Sequence, residues 1–393
     1  MSAGSSGEKV AERKLRMGLI GGGEGAFIGA VHRMAAELDG EITLVCGAFS
    51  SDPARSRRSG ERLYRLPAAR CYPDYRSMFE AEAQLDASER MDFVTVATPN
   101  HVHFDAARLA IESGFDVVCD KPLTHRLADA LALSDRLAKS DRLFCLTHNY
   151  TGYPMVREAR SLVASGRLGR IRRVSCEYLQ GWLAGAEERS GNRQAEWRTD
   201  PQRAGAAGCF GDIGSHAQNL LEFVTGERIE AVAADIRTWV PGRALDDDGD
   251  VLLRLSGGAR GVLSASQIAV GEENALTLRI YGEQGGLEWR QMSPNTLHLK
   301  WPDRSLTLQR TGGPGASVAA GEATRLPAGH PEGYLEAFAV LYRNFARALR
   351  ARNDGARVDL DFPGVAEGVR GMAFIDTVVK SSREGGRWLD LPA

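Results

Sequence analysis

The sequence predicts an α/β protein of two domains: a doubly wound parallel sheet, then an α/β domain with a large, mostly antiparallel, open-faced sheet. Short apolar runs alternate with helical patterns over residues 15–150, which is typical of βαβ units. Over residues 229–310, strand patterns follow one another with Gly-rich turns and no helical pattern between them. The domains that we expect are a disordered tail at 1–14, a first domain at 15–149 and a second domain at 150–393.

The elements of the first domain are predicted from the spacing of their apolar residues. Strand patterns occur in LRMGLIGGG, ITLVCGAF, MDFVTVATP, DVVCDKP and LFCLTHNY, and their continuous apolar runs indicate strands that are covered on both faces. Helical patterns occur in AFIGAVHRMAAELDG, HFDAARLAIESG and LADALALSDRLAKS. This alternation predicts right-handed crossovers and a parallel sheet.

The second domain begins with a helical pattern, PMVREARSLVASG, and a long strand with a polar alternate face, GRIRRVSCEYLQGW. We interpret the run ALTLRIYGEQGGLEW as one strand, and the glycines near residues 311–330 predict a loop or an arm. Two amphipathic helices close the chain, in YLEAFAVLYRNFARALRAR and GVAEGVRGMAFIDTVVKSSREG.

The composition argues against several classes of function. The 393 residues include 49 Lys plus Arg and 51 Asp plus Glu, so the formal net charge of −2 gives no global attraction to nucleic acid or to an anionic membrane. No apolar run is long enough to span a bilayer, and the six cysteines show no C-x-x-C spacing. We expect a cytoplasmic protein with reduced thiols, no bound metal, and neither a nucleic-acid nor a membrane partner.

A glycine-rich turn follows the first strand. Residues 21–26 fit the pattern G-x-G-x-x-A, whose glycines allow a tight turn and a close approach to a pyrophosphate at a helix N-terminus. The small last residue of the pattern, here Ala26, is expected to let helix and strand pack closely. The alternative is a glycine turn without a ligand, but the strand before it and the helix after it favour a Rossmann-type site for NAD or NADP. The predicted cofactor contacts of this turn are Gly21, Gly23, Glu24, Gly25, Ala26, Phe27 and Ile28.

The end of the second strand leaves the choice between NAD and NADP open. An acid at this point would bind the adenosine ribose hydroxyls of NAD, but Ser50 stands there and Asp52 comes two positions later. Arg55 and its basic neighbours can pair with the 2′-phosphate of NADP, or they can form a solvated helix face. We predict cofactor contacts at Ser50, Ser51 and Arg55.

Two further loops follow the carboxyl ends of strands, where ligands bind in open parallel sheets. The segment VATPNHVHFD ends in a helix whose first turn carries His103, and such a histidine is also often a packing or capping residue. The segment CDKPLT carries Lys121, which can stabilise a developing alkoxide beside a nicotinamide or can be an ordinary exposed lysine. The predicted cofactor contacts at this edge are Thr98, Pro99, Asn100, His103, Asp120 and Lys121.

The segment AAGCFGDIGSHAQNL contains Asp212 and His216 at i, i+4 spacing, which places both on one face of a helix. A carboxylate one turn from an imidazole can orient it, and histidine is a natural general base for removing a hydroxyl proton. The alternative is a buried histidine tied to a structural carboxylate. A metal site is a weaker alternative because the pair would need further ligands.

Together, the glycine loop, ATPNHVH, DKP and GDIGSH resemble, in this order, the Gfo/Idh/MocA oxidoreductases, which include glucose–fructose oxidoreductase and inositol dehydrogenases. The resemblance covers residues 15–391. It implies a Rossmann domain, a C-terminal sheet that forms the interface of a homodimer or homotetramer, and catalysis by Lys121, Asp212 and His216. Asp120 replaces the usual Glu before the lysine, and Asn219 stands where many relatives carry an acid.

Within this resemblance, the start of the second domain and the segment WRTDP supply polar and aromatic groups that suit a polyol, although domain-interface packing is the alternative for each. The predicted substrate contacts are His148, Asn149, Tyr150, Tyr153, Trp197, Arg198, Asp212 and His216.

The leading hypothesis for the reaction is hydride transfer between the nicotinamide and a secondary hydroxyl of a cyclic polyol, sugar or glycoside. The proton goes to His216, Lys121 stabilises oxyanion charge, and Asp212 orients His216. One alternative is NAD-dependent cleavage of a glycoside through transient oxidation, and another is a non-catalytic dinucleotide sensor.

Overall fold

A computed structural model describes residues 13–392 of the chain, and the tail predicted at 1–14 lies almost wholly outside the described residues. The first half of the chain forms five strands and five helices in strict order. Their bounds are β1 Leu15–Gly21, α1 Phe27–Glu37, β2 Ile42–Ala48, α2 Pro53–Leu63, α3 Tyr75–Gln84, β3 Phe93–Ala97, α4 Asn100–Glu112, β4 Asp116–Cys119, α5 Leu127–Leu137 and β5 Phe144–Leu146.

The five strands form a parallel sheet in the order β2-β1-β3-β4-β5. Strands β3, β4 and β5 are buried along their whole length, because helices cover both faces of the sheet. The strand order reverses at β1, so the loops after β1 and β3 meet at the carboxyl edge where doubly wound sheets bind ligands. This part of the predicted fold is confirmed.

The second half of the chain begins after β5. Its elements are α6 Pro154–Ala164, β6 Ile171–Leu179, α7 Arg193–Arg198, α8 Pro201–Ala204, α9 Ser215–Thr225, β7 Ile229–Arg237, β8 Asp248–Leu255, β9 Arg260–Ser266, β10 Ala275–Gly282, β11 Gly286–Arg290, β12 Thr296–Lys300, β13 Thr307–Arg310, α10 Val318–Ala323, α11 Tyr334–Asn353, α12 Val365–Arg383 and β14 Leu389–Asp390.

The nine strands just given form a second sheet in the order β13-β12-β11-β10-β6-β9-β8-β7-β14. Only β6 and β9 are parallel neighbours in it. The predicted open-faced, mostly antiparallel sheet is confirmed. Helices α6, α9 and α12 pack on one face of it, and the other face carries alternating exposed side chains such as Leu252.

Two details of the second half differ from the prediction. The run ALTLRIYGEQGGLEW is a hairpin of β10 and β11, because Gly282 and Gly285 turn the chain between them. The segment near 311–330, predicted as a loop, contains the short helix α10, whose N-terminus is capped by the hydroxyl of Ser317.

Helix α11 returns to the first sheet, although it lies in the second half of the sequence. Its apolar residues Phe338, Leu341 and Phe345 share one core cluster with residues of the first sheet, and the rings of Phe345 and Phe93 lie 5.1 Å apart. A division of the chain at 149/150 therefore places α11 in the second domain although one face of this helix packs on the first sheet.

Candidate active site

The glycine turn after β1 has backbone conformations and contacts that admit no side chain. Gly21 has φ +87°, and a Cβ on it would lie 2.1 Å from the carbonyl oxygen of Ala97. A Cβ on Gly23 would lie 2.3 Å from the carbonyl oxygen of Phe49. By contrast, Gly25 has open space around it, on the side where a ligand can approach the backbone. These features fit the pyrophosphate of a dinucleotide.

The close contact between the turn and helix α1 is made by Gly22 and Gly29. A Cβ on Gly29 would lie 2.2 Å from the Cα of Gly22. The small residue that permits helix–strand packing is therefore Gly29, and the prediction gave this place to Ala26. Ala26 is instead the residue before the first turn of α1, and its side chain makes no capping hydrogen bond among the described residues. The first N–H groups of α1 thus remain available to an anion.

The end of β2 carries no free acid for the ribose. Asp52 accepts a hydrogen bond from the backbone N–H of Arg55 at 2.6 Å, so its carboxylate caps helix α2. Ser50 and Ser51 lie at the open end of the strand, and the side chain of Arg55 is partly exposed beside them. This arrangement leaves both NAD and NADP open, as the sequence does.

The loops after β3 and β4 are joined by His103. Its Nδ1 lies 2.8 Å from the carbonyl oxygen of Pro122, and its Nε2 lies 2.9 Å from that of Thr98. The ring is completely buried between these carbonyls, which favours the packing alternative, and contact between His103 and the cofactor stays a prediction. Asn100 is buried too, and its Nδ2 donates to the carbonyl of Ala204, which ties helix α8 to this edge.

Lys121, after β4, meets the segment that precedes α9. Its Nζ donates to the Asp212 carboxylate Oδ1 at 2.8 Å and to the Asp212 carbonyl at 2.6 Å. The other carboxylate oxygen of Asp212 accepts from Nε of Arg198 at 3.2 Å and from Nε2 of Gln267 at 2.9 Å. Burial alone would raise the pKa of Asp212, but the charges of Lys121 and Arg198 outweigh it and hold the pKa well below its usual range.

The predicted contact between Asp212 and His216 is not formed. Both carboxylate oxygens of Asp212 are taken by Lys121, Arg198 and Gln267, and no hydrogen bond to His216 occurs among the described residues. The physical reason is that the chain makes one wide π-type turn over Phe210–Gly214 before α9, which changes the angle between the two side chains. Asp212 therefore orients Lys121, and the prediction that it orients His216 is wrong.

His216 lies in an aromatic enclosure. Its ring makes edge contacts with His148 and Tyr150, at centroid distances of 5.5 Å and 4.9 Å. Burial, followed by the charge of Lys121, lowers the pKa of His216 well below its usual value. Its Nδ1 is buried without a partner among the described residues, whereas its Nε2 is not among such enclosed atoms. A neutral imidazole is what a general base requires.

The other predicted substrate contacts divide into two groups. His148 and Tyr150 contact the ring of His216, and Asn149 is buried between them in the chain. Burial, followed by the charge of Lys121, lowers the pKa of His148 to about 3. Tyr153 is only 1% exposed, stacks on Tyr150 and makes a tilted ring contact with Trp289, which favours the packing alternative; its contact with substrate stays a prediction.

The second group lies on helix α7, which covers the carboxylate. The guanidinium of Arg198 stacks on the ring of Trp197 at 4.2 Å while its Nε holds Asp212. Both side chains remain partly exposed, so a ligand could reach them.

No sequence pattern indicated the polar groups that the second sheet contributes. Tyr178 shares a 2.5 Å hydrogen bond with Tyr150 and donates to Asn274 at 2.6 Å. Gln180 also donates to Asn274, at 2.8 Å, and Gln267 follows β9 to reach Asp212. These residues lie at strand ends far apart in sequence, so only the strand order brings them together.

Asp246 holds the segment that carries Asp212. Its carboxylate accepts from the backbone N–H groups of Gly208 at 2.7 Å and Phe210 at 2.9 Å, and its carbonyl accepts from Cys209. Asp246 thus caps the π-type turn from outside, as an N-cap residue would.

Over residues 13–392, no group of three or more His, Cys, Asp or Glu side chains could hold a metal ion. No helix in the same part of the chain has both the length and the apolar character needed to cross a membrane. The six cysteine thiols are buried and free of disulfides.

A doubly wound sheet with this glycine turn, joined to a lysine, a carboxylate and a neutral imidazole, defines an NAD(P)-binding oxidoreductase. Residues 15–148 match the family model of the oxidoreductase family with an NAD-binding Rossmann fold, and residues 156–288 match that of the GFO/IDH/MocA C-terminal domain. The chain belongs to the Gfo/Idh/MocA family.

Similar proteins span the whole chain. The "Uncharacterized oxidoreductase YfiI" of Bacillus subtilis is 30% identical, covering 98% of this chain and 99% of its own length. Levoglucosan dehydrogenase of Pseudarthrobacter phenanthrenivorans is 26% identical, with coverage of 97% and 99%. The crystal structure of an inositol dehydrogenase homolog complexed with NAD+ from Azotobacter vinelandii is 35% identical and has a TM-score of 0.92. The match covers 96% of this chain and 97% of that structure's chain.

Proposed function

We propose that this enzyme transfers a hydride between NAD(P) and a secondary hydroxyl of a cyclic polyol, sugar or glycoside. The observation that carries the proposal is the joining of Lys121 to Asp212 at 2.8 Å, beside a neutral His216, at the edge that holds the glycine turn. When bound, the nicotinamide supplies the hydride acceptor or donor, and the protein supplies placement and proton transfer.

Lys121 is held so that one of its donors stays available. A lysine ammonium carries three N–H donors, and Asp212 accepts two of them through its carboxylate and carbonyl oxygens. The third can donate to the substrate oxygen, whose negative charge grows as hydride leaves the carbon. Asp212 keeps the ammonium in place, and Arg198 and Gln267 keep Asp212 in place. Lys121 thereby stabilises charge without having to be reoriented during the reaction.

His216 takes the hydroxyl proton. Because burial and the charge of Lys121 lower its pKa, the ring is neutral at physiological pH and can accept a proton. Its Nε2 is the nitrogen available to substrate, since Nδ1 is enclosed. In the reverse direction the same nitrogen returns the proton to the substrate oxygen.

The class of substrate is supported by the relatives and by the lining of the site. One related structure is an inositol dehydrogenase homolog complexed with NADH and myo-inositol, and another is levoglucosan dehydrogenase with NADH and levoglucosan. Hydrogen bonds join Trp182, Gln180 and Asn274 near strand ends of the second sheet, and aromatic and amide groups of this kind suit sugar faces and hydroxyls.

The test is a substrate panel of inositols, pyranoses and glycosides, with NAD and NADP in parallel. The variants Lys121→Met and His216→Ala should each lower kcat by about 10²–10⁴-fold, the usual value of acid–base assistance. Both should still bind NADH, since neither residue forms the glycine turn. The exposed residues Lys139 and His330 provide matched controls, Lys139→Met and His330→Ala, which should keep full activity. Near-normal rates in both active-site variants would refute the assignment.

Transient oxidation of a glycoside uses the same residues, and the panel separates the two reactions. Net dehydrogenation accumulates reduced nicotinamide in proportion to product. Redox-neutral cleavage releases the aglycone while the reduced-nicotinamide absorbance stays at its starting level.

The proposed assembly is a homodimer or homotetramer through the open face of the second sheet. This face carries the exposed Leu252 and an ion-paired row that includes Glu177 and Arg279 at 3.3 Å. Exposed apolar and ion-paired residues on one uncovered face are compatible with a subunit interface. Light scattering of Leu252→Glu should report a smaller particle than the parent protein, and an unchanged particle size would exclude this face.

A further inference from the structure

A buried chain of polar side chains runs from the first sheet to the loop of Lys121. Nδ1 of His32, on α1, lies 2.8 Å from the hydroxyl of Tyr342, on α11. That hydroxyl lies 3.0 Å from Oγ1 of Thr95, on β3. The other ring nitrogen of His32, Nε2, lies 3.9 Å from Oδ1 of Asp120 and has no hydrogen-bond partner among the described residues.

Electrostatics fixes the direction of this chain. Burial lowers the pKa of His32, so the ring is neutral and carries one proton. If that proton were on Nδ1, the lone pair of Nε2 would face the Asp120 carboxylate in a buried region, which is repulsive. If Tyr342 donates to Nδ1, Thr95 gives its one proton to Tyr342 and not to the sulfur of Met17 at 3.2 Å, the His32 proton is on Nε2, and the N–H faces Asp120. The second arrangement is favoured, because it turns a repulsion into an attraction.

Asp120 is the link between this chain and the catalytic lysine. Its Oδ1 accepts from the backbone N–H of Lys121 at 2.9 Å and from the hydroxyl of Thr147 at 3.0 Å. The N–H of His32 lies about 1 Å beyond ordinary hydrogen-bond length from the same oxygen. It forms no hydrogen bond with Asp120, but an N–H dipole aimed at the carboxylate attracts its negative charge and so limits where the carboxylate can move.

We propose that His32 is a positioning residue for catalysis, whose Nε2–H, set by Tyr342, holds Asp120 and thereby Lys121 in the reactive geometry. The proposal rests on the proposed function, since it concerns the same lysine. The side chain of Asp120 is short, and His32 extends from α1 toward its carboxylate. The ring of Phe338, 5.1 Å from His32, fixes the imidazole from the side.

The first experiment needs no substrate. Protein labelled with ¹⁵N at histidine should show His32 as the neutral Nε2–H tautomer, assigned with His32→Gln, and Tyr342→Phe should shift it toward a mixture because Nδ1 loses its donor. An Nδ1–H tautomer in the parent protein would overturn the proposal. If no substrate of the panel turned over, the proposed function would fail while the tautomer of His32 could still be measured. The failure of the proposed function and the failure of the His32 proposal are therefore distinguishable.

The second experiment measures kcat and KM for whichever substrate of the panel turns over. His32→Leu should lower kcat about tenfold, as a small displacement of a reacting group does, with the KM values for NAD(P) and substrate nearly unchanged. His32→Gln restores a donor toward Asp120 and should recover most of kcat.

The control is Tyr72→Phe, which removes a tyrosine hydroxyl bonded to Glu82 at 2.8 Å in the same sheet domain without touching Asp120. It should leave kcat unchanged. Unchanged kcat in His32→Leu, or equal losses in the Leu and Gln variants, would show a purely structural role and overturn the proposal.

Discussion

The contact between Gly29 and Gly22 allows a quantitative test of how the cofactor site is built. In Gly29→Ala, the new Cβ would lie 2.2 Å from the Cα of Gly22, about 1.3 Å short of the ~3.5 Å at which two carbons touch. The nearest atoms all belong to the backbone of Gly22, so no side chain can rotate away to make room. Helix α1 must therefore retreat from the glycine turn by roughly that distance, and its N-terminal N–H groups retreat with it.

The expected cost has two parts. Overpacking of this kind destabilises by about 1–3 kcal/mol, partly offset by the roughly 1 kcal/mol that alanine gains over glycine in a helix. The displaced N–H groups should weaken NADH binding by at least about tenfold, or ~1.4 kcal/mol.

NADH fluorescence titration and urea unfolding measure the two effects. Gly321→Ala is the matched control, because Gly321 lies in helix α10 with no atom within 4 Å of its Cβ position. That variant should keep NADH affinity and should not lose stability. An unchanged dissociation constant in Gly29→Ala would refute the idea that this contact sets the distance between helix and pyrophosphate.

Two further predictions concern stability and the second domain. The pKa of His148 falls from 6.5 to about 3 on folding. Between these pH values, His148 is protonated in the unfolded chain but not in the folded chain. The stability present above pH 6.5 is therefore lost as the pH falls. In His148→Leu, the free energy of unfolding should change less between about pH 8 and about pH 5 than in the parent protein. An equal change would contradict the lowered pKa of His148 in the folded protein. Asp246→Ala leaves two N–H groups at the π-type turn unpaired, so urea unfolding should show a loss of about 1–2 kcal/mol and kinetics a lower kcat, with Asp246→Asn intermediate. Full stability and kcat in Asp246→Ala would show that the turn needs no cap.

The fold could be predicted because its signals are local. Apolar periods and glycine turns define the strands, and the carboxyl-edge rule brings the loops of Thr98 and Lys121 together without any knowledge of packing. The same rule, with the family resemblance, placed Lys121 and the segment of Asp212 in one site, and the hydrogen bond between them follows that expectation.

The details of the site depend on packing, which the sequence does not encode locally. The i, i+4 spacing predicts a shared face for Asp212 and His216 only if the helix is regular, and the π-type turn removes that condition. Gln267 and Asn274 could not be found because they reach the site through the strand order of the second sheet. His103 was placed with the cofactor because its position at the sheet edge is visible in the sequence while its burial is not.

The return of α11 to the first sheet affects how such enzymes can be recombined. A fragment that ends at the first sheet would expose Phe93, Leu19 and their neighbours, which α11 covers in the whole chain. A chimera that exchanges the nucleotide-binding half between relatives must therefore also exchange this late helix, or match its surface. The last third of the sequence thus supplies part of the core beneath the nucleotide-binding edge.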